Sequence, residues 1–455
     1  MNALQQSNQQ ELNLPKCQGK APVHVSSEAF IAARLSESPT GKVRLLESIM
    51  ERENMSRALR QVVSNKGAPG VDGMKVTQLQ AYLKRHWPKI KESLLDGSFE
   101  PMPARRKEIP KPDGGVRLLG IPTVLDRLIQ QAIAQVLEKL WDHTFSGSSF
   151  GFRPKRSQAD AIDQCRSHVQ SGLRYCVDID LSKFFDRVNH DRLMSRLALK
   201  IKDRRVLKLI RKYLESGVMI EGVQVTTEEG TPQGGPLSPL LSNIVLDELD
   251  KELEKRALKF VRYADDCVIH VASQRAGARV MRSVTRYITK RLRLKVNEEK
   301  SSVGRPWSSK YLGFSLTNSH KHTKIRIHWK TMLRLRGKVK ELTNRSRGRS
   351  LSQVIEDLNV YLRGWWGYFS FADARGKLGG IINWIHRRLR CLLWKQWRNR
   401  RTRIRELRKR GITGDYAVTT GCSRKGPWRM SRVKWVVIAL PNQHFKTHGL
   451  VIPWI

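Results

Sequence analysis

The apolar positions of this chain change period part-way along it. Before Leu316, short runs rich in aromatic and β-branched residues alternate with helical stretches. Phe260 to Tyr263, Cys267 to Val271 and Tyr175 to Leu181 predict strands. Leu45 to Val63, Ile121 to Leu140 and Asp191 to Leu214 predict helices, and Lys66 to Gly73 breaks the first of them with glycine and proline. Beyond Leu316 the step becomes three and four. Met332, Leu335, Val339 and Leu342 form one stripe. Leu351, Val354, Leu358, Leu362 and Trp365 form a second, and Ile381, Ile385, Leu389 and Leu392 a third. Three amphipathic helices in succession predict a small bundle. The fold class is therefore an α+β unit followed by an all-α one. Residues 1–44 are polar, without a sustained period, and read as a loosely held tail.

Charge changes the picture most. The 455 residues include 85 Lys and Arg against 41 Asp and Glu, a net charge of +44. A compact chain this basic repels itself unless a polyanion neutralises it. No apolar stretch is long enough to cross a bilayer, so nucleic acid is favoured over a membrane surface. The start of the chain lacks the basic-then-apolar order of a secretory signal. The 6 cysteines stand singly, none at zinc-ligand spacing, which suits a reducing compartment. Between Trp394 and Arg410 an arginine run is interleaved with Trp397, Ile404 and Leu407. That pattern predicts a helix with a basic face, where a plain charge block would be a solvated tail. Val436 to Leu440 is a short strand or helix.

Candidate chemistry starts at Asp265-Asp266, which falls at the tip of a predicted hairpin. By itself an Asp-Asp pair is an ordinary solvated turn. Two adjacent carboxylates resist burial unless a cation is shared between them. Upstream, Cys176, Asp178 and Asp180 share one face of the predicted strand, and Tyr175, Val177 and Ile179 the other.

The ordered motifs around these acids resemble those of reverse transcriptases. They are Asp180-Leu-Ser-Lys-Phe-Phe185-Asp186, Gly230-Thr-Pro-Gln-Gly-Gly-Pro-Leu-Ser-Pro239 and Tyr263-Ala-Asp-Asp266. Flanking segments agree: Ile109-Pro-Lys111-Pro-Asp-Gly-Gly-Val-Arg117, Ser149-Phe-Gly-Phe-Arg-Pro154, Asn297-Glu-Glu-Lys300-Ser and Tyr311-Leu-Gly-Phe314. Leu362-Arg-Gly-Trp-Trp-Gly-Tyr-Phe369 is similar to the maturase, or thumb, signature. The wording is that of the group II intron-encoded class, in its bacterial form without a C-terminal nuclease domain, and the resemblance runs from about Leu45 to the C-terminus.

The resemblance implies a right-hand polymerase. Fingers and palm would occupy residues 45–316, a helical thumb and maturase domain 317–400, and a basic nucleic-acid-binding segment 401–455. It implies Asp180, Asp265 and Asp266 as catalytic ligands of two Mg2+ ions, with Asp266 the outer member. Phe185, 5 residues after Asp180, stands where a ring excludes a 2′-hydroxyl. Lys111, Arg117, Gln233 and Lys300 would bind the incoming deoxynucleoside triphosphate. Arg153 and Gly313 would meet primer or template, and Arg398, Arg400, Arg401 and Arg403 the intron RNA. Arg262 stands open between primer or template contact and a structural ion pair. The aromatic Trp365 and Trp366 are expected in the bundle core.

The function implied is RNA-directed DNA polymerisation, joined to assisted splicing of a group II intron and its copying into a DNA target. The setting is a bacterial cytoplasmic ribonucleoprotein. Two alternatives keep the same surface: a non-enzymatic RNA-binding splicing factor, and a same-lineage reverse transcriptase recruited to DNA repair or defence. Intact acids at all three positions speak against the first.

Overall fold

A computed structural model describes residues 44–110, 114–220, 223–225, 230, 234–319 and 322–454. Strand β1 (Ala104–Pro110) and β2 (Val116–Ile121) form an antiparallel hairpin closed by the pair Pro110 and Val116. Strand β3 (Tyr175–Ile179) belongs to a second sheet, whereas β4 (Val218–Ile220) runs parallel to β1 and carries β5 (Val223–Val225) at its edge. Strands β6 (Lys259–Tyr263), β7 (Asp266–Val271) and β8 (Ser302–Gly304) complete the second sheet, in the order β6-β7-β3-β8 with every pair antiparallel. A two-stranded ribbon of β9 (Phe314–Leu316) and β10 (Ile325–Ile327) leads into the helical half.

Alternation along β3 decides which way its residues face. Val177 and Ile179 are buried in the main core, among Leu241, Ile244 and Phe260. Cys176 and Asp178 turn to the other side, where they line a small cavity with Ser309 and Tyr311. The helix Ser238–Lys255 lies in that main core and buries Leu240, Leu241, Ile244, Leu246, Leu249 and Leu253.

Two of the expected helices are broken. Asp191 to Leu214 is two helices, His190–Lys200 and Arg204–Glu215. Asp203 breaks the run because its carboxylate accepts the amide of Arg205 at 3.0 Å, capping the second helix. The same carboxylate accepts the amide of Leu46 at 3.1 Å, which fixes the start of the described chain to this corner. Leu45 to Val63 likewise divides into Leu45–Ile49 and Arg52–Ser64. Ile121 to Leu140 is one helix, Val124–Trp141, whose start is capped by Thr123.

The three periodic stripes beyond Leu316 are the helices Trp329–Leu342, Leu351–Phe369 and Arg375–Gln396. Their apolar faces meet in a second core. The C-terminal helices share it: Leu407, Val436 and Phe445 are each fully buried there. Trp365 sits in this core, edge-on to Trp454 with ring centres 5.7 Å apart. The arginine run behaves differently from a single helix. The preceding helix ends at Gln396, the chain turns through Trp397 to Asn399, and a new helix runs over Arg400–Lys409. Val436 to Leu440 lies largely in the helix Lys434–Ala439.

Candidate active site

The hairpin β6–β7 closes on the pair Tyr263 and Asp266, leaving Ala264 and Asp265 in its turn. Ala264 has φ of +58°, a left-handed conformation that costs a residue with a Cβ about 1–2 kcal/mol. Its surroundings hold it there. Arg262, with no exposed surface, donates to the Ala264 carbonyl at 2.8 Å. The same guanidinium donates to both carboxylate oxygens of Asp250, at 2.7 and 2.6 Å. It also donates to Asn243 Oδ1 at 3.0 Å and Ser149 Oγ at 2.7 Å. Asn243 in turn donates to the carbonyl of Gly151 at 2.9 Å. A side chain at Gly151 would put its Cβ 2.2 Å from the Ala264 nitrogen, so only glycine lets this segment back the turn.

Asp180 is presented from the neighbouring strand. Ile179 pairs with Cys267 across β3 and β7, so Asp180, just past the end of β3, stands opposite Asp266 in register. Adjacent strands lie about 4.8 Å apart, which brings these acids together at one end of the two central strands. The backbone of Asp180 is held on both sides. Its amide donates to Ser301 Oγ at 3.1 Å, and its carbonyl accepts from the Asn297 amide at 2.8 Å. The segment Asn297-Glu-Glu-Lys300-Ser therefore works as a brace, and Lys300 itself is exposed on it.

Asp180 and Asp265 are half-buried and Asp266 is the most exposed of the three. Even so, the carboxyl of Asp266 is pushed up to about 6. Packing around the hairpin strips part of its hydration, and Asp265, Asp180 and Asp178 add negative charge. Asp178 is also raised to about 6, by burial, against the opposing effect of the Ser309 hydroxyl that donates to it. Asp178 thus faces the cavity beneath the sheet, and Asp180 the open edge. Among the described residues, no three ligating side chains lie close enough together to hold an ion unaided. Magnesium is commonly held by one or two carboxylates together with substrate phosphates, and this oxygen-only edge fits that partnership.

Phe185 lies in the single turn Phe184–Arg187 that follows Asp180. It is half-buried, edge-on to Phe184 at 5.3 Å between ring centres. Gly230 packs beneath this turn: a Cβ there would come within 2.8 Å of the Phe185 carbonyl oxygen. His190 Nε2 anchors Gly230 through its carbonyl at 2.6 Å. Gly234, at φ of +126°, is pressed as closely to β2, 2.4 Å from the Gly120 oxygen to its would-be Cβ. Gly230 is thus packed against the Phe185 turn, and Gly234 against β2. Lys111 and Gln233 lie outside the described residues, as does the side chain of Arg117.

Other expected contacts are placed elsewhere. Arg153 has only 9% of its surface exposed. Its guanidinium donates to Asp142 Oδ1 at 2.6 Å, to the Ser146 carbonyl at 2.7 Å and to the Ser149 carbonyl at 3.0 Å. With a fourth bond to the Asp142 carbonyl at 2.7 Å, it braces the segment behind the β6–β7 turn. Arg262 takes the structural option. Gly313 sits in a turn whose carbonyl accepts from the His328 amide at 3.0 Å and Thr331 Oγ1 at 2.9 Å, joining this turn to the first thumb helix. Arg398, Arg400 and Arg401 are exposed, whereas Arg403 lies 5.2 Å over the Trp394 ring and donates to the Trp397 carbonyl at 2.9 Å. Sequence reasoning missed Asn243 and Asp250. Their signal was available: Asn243 and Asp250 lie seven residues apart, on the same helical face as Leu246 and Leu253, and polar residues on a buried face call for a partner.

Residues 109–316 match the model of the reverse transcriptase (RNA-dependent DNA polymerase) family, and residues 332–411 that of the group II intron maturase-specific domain. The chain is 35% identical over 300 residues to protein YkfC of Escherichia coli K12, covering 57% of this chain and 79% of that one. It is 36% identical over 247 residues to the group II intron-encoded protein LtrA of Lactococcus lactis, covering 54% of this chain and 40% of LtrA. Among solved structures, a chain of a Cas6-RT-Cas1–Cas2 complex aligns at 24% identity with a TM-score of 0.35, over 54% of this chain and 42% of that chain.

Proposed function

Because the chain belongs to the group II intron-encoded reverse transcriptase and maturase family, we propose that it copies RNA into DNA at the edge formed by Asp180, Asp265 and Asp266. The observation that carries this reading is the register of β3 against β7, which sets Asp180, just past β3, beside Asp266 at the rim where the two central strands end. Asp180 and Asp265 are the residues to hold two Mg2+ ions, with Asp266 outside them. When bound, these ions supply activation of the primer 3′-hydroxyl and charge neutralisation of the leaving pyrophosphate.

The chain's own residues do the positioning. Arg262 and Gly151 fix the turn that aims Asp265, and Ser301 and Asn297 fix the backbone that aims Asp180. Phe185 faces the sugar and leaves no room for a 2′-hydroxyl. Lys111 and Arg117 neutralise the triphosphate, Gln233 meets the new base pair, and Lys300 assists pyrophosphate departure. Such preorganised donors act without rearrangement at the moment of transfer.

The helical half holds structured intron RNA through its phosphates, which assists splicing, and the polymerase then copies the intron at a DNA target primed by another strand end. Its setting is a ribonucleoprotein in the bacterial cytoplasm. The test pairs two assays on one protein: primer extension on an RNA template, and splicing of the intron RNA at low magnesium. Activity in both supports the reading. Splicing without extension leaves only an RNA-binding splicing factor.

A further inference from the structure

We infer that the cleft divided by Trp384 is a binding site for a nucleic-acid strand carrying an unpaired base. This rests on the reading that the helical half holds RNA, and it moves the principal grip away from the arginine run. A cavity of about 610 Å³ on one side is lined by Arg336, Arg387, Arg432 and Trp384. A second, of about 740 Å³, is lined by Lys340, Arg345, Arg388, Trp384 and Trp428. Trp384 lines both and separates them. The walls come from the first and third thumb helices and from the C-terminal helix Pro427–Met430.

The cleft is strongly cationic. Arg336, Lys340 and Arg432 are exposed and make no ion pair among the described residues. Glu341 is the only acid among the described lining residues, and Lys338 already pairs with it at 2.8 Å. Burial lowers Arg387 and Arg388, and no carboxylate offsets it. Partly dehydrated cations without an acid partner favour the arrival of phosphate.

The aromatic rings give the site its second character. Arg387 lies 3.6 Å over the Trp428 ring and donates to the Trp428 carbonyl at 3.0 Å. Arg388 lies 5.2 Å from the centre of the Trp384 ring and donates to the Lys340 carbonyl at 3.0 Å. These bonds hold the guanidinium groups and rings in place before any ligand arrives. An aromatic wall between two phosphate-binding hollows serves a strand whose base has a free face, in a single strand or a bulge. A stacked duplex offers it no such face. The exposed arginines of the helix Arg400–Lys409 line neither cavity.

The test measures anisotropy of the full chain with three labelled probes over a range of salt: a single-stranded RNA, a DNA of the same sequence, and the blunt RNA duplex. Arg336→Glu with Arg432→Glu should weaken single-strand binding by tenfold or more and lower the salt slope by about 2. Both residues are exposed, so an unchanged melting curve confirms that the variant folds. Trp384→Leu should weaken single-strand binding by about tenfold and spare the duplex, and Trp384→Phe should restore it. Loss on RNA alone identifies the ligand as RNA, loss on DNA alone as DNA, and either supports the site. Equal loss on duplex and single strand for Trp384→Leu overturns the unpaired base. Wild-type affinity and slope in the double reversal overturn the cleft. If neutralising Arg398, Arg400 and Arg401 then abolishes binding, the RNA-holding reading survives without the cleft; if neither set matters, that reading falls as well.

Discussion

The hydroxyl of Tyr311 donates to the carbonyl of Val261 at 3.3 Å and lies 3.5 Å from that of Asp266. One phenol thus ties the turn before β9 to both strands of the β6–β7 hairpin. That turn is itself closed by reciprocal bonds between Tyr311 and Phe314, at 3.1 and 2.8 Å. Its Gly313 carbonyl reaches the first thumb helix. Tyr311→Phe removes one buried donor and should cost about 1 kcal/mol of stability, read by chemical denaturation. Extension should slow several-fold with unchanged affinity for primer and template. A rate equal to wild type would separate the two turns functionally.

The buried pair of Arg262 and Asp250 carries the conformation of the Ala264–Asp265 turn. Removing one partner of such a pair leaves an uncompensated buried charge, at about 3–5 kcal/mol. Asp250→Asn should therefore destabilise the fold by an amount in that range. Arg262→Lys keeps the charge but loses the five-donor fork that serves Asp250, Asn243, Ser149 and Ala264 at once. It should retain much of the stability and lose extension rate, with little change in nucleotide KM. A fall in stability with a normal rate would confine Arg262 to a structural role.

Sequence periodicity located most of the architecture and less of the bracing. Strands β3, β6 and β7 follow from alternation, and the thumb helices from their three-and-four step. The break at Asp203 was harder, because an N-cap inside an apolar period is visible only once its amide partners are known. Arg153 and Arg262 illustrate the larger difficulty. Sequence places them beside catalytic motifs, where substrate contact is the natural reading. Arg153 bonds within 11 residues of itself, whereas Arg262 reaches Ser149, 113 residues away. Distances of that kind are set by tertiary packing and carry no local signal.

Phe185 should act on substrate choice more than on rate. Phe185→Ala opens the space beside the sugar and should raise ribonucleotide use relative to deoxynucleotide by about 10–100-fold. Competitive incorporation measures the ratio. No change would make its edge contact with Phe184 its whole role.

His168 and His270 meet Nδ1 to Nδ1 at 3.3 Å beneath the palm sheet. Burial first, then the charge of Lys259, lowers His168 to about 4; burial and His168 lower His270 to about 3. Both folded values lie below the unfolded value of about 6.5. The unfolded chain therefore binds more protons between pH 6.5 and 4, and stability falls as pH drops through that window. Each group contributes up to about 1.4 kcal/mol per pH unit. His168→Gln with His270→Gln should flatten the acid limb of a denaturation series. An unaltered limb would show that neither ring is kept neutral by the fold.

The most direct measurement is primer extension on an RNA template by Asp180→Asn and by Asp265→Ala with Asp266→Ala, at saturating magnesium, beside RNA affinity of the same proteins. The edge acids act together, so each variant should lose about a thousandfold or more in rate, several kcal/mol of barrier, while binding RNA within about twofold of wild type. Extension within about tenfold of wild type by either variant would contradict the assignment of this sheet edge as the site of DNA synthesis.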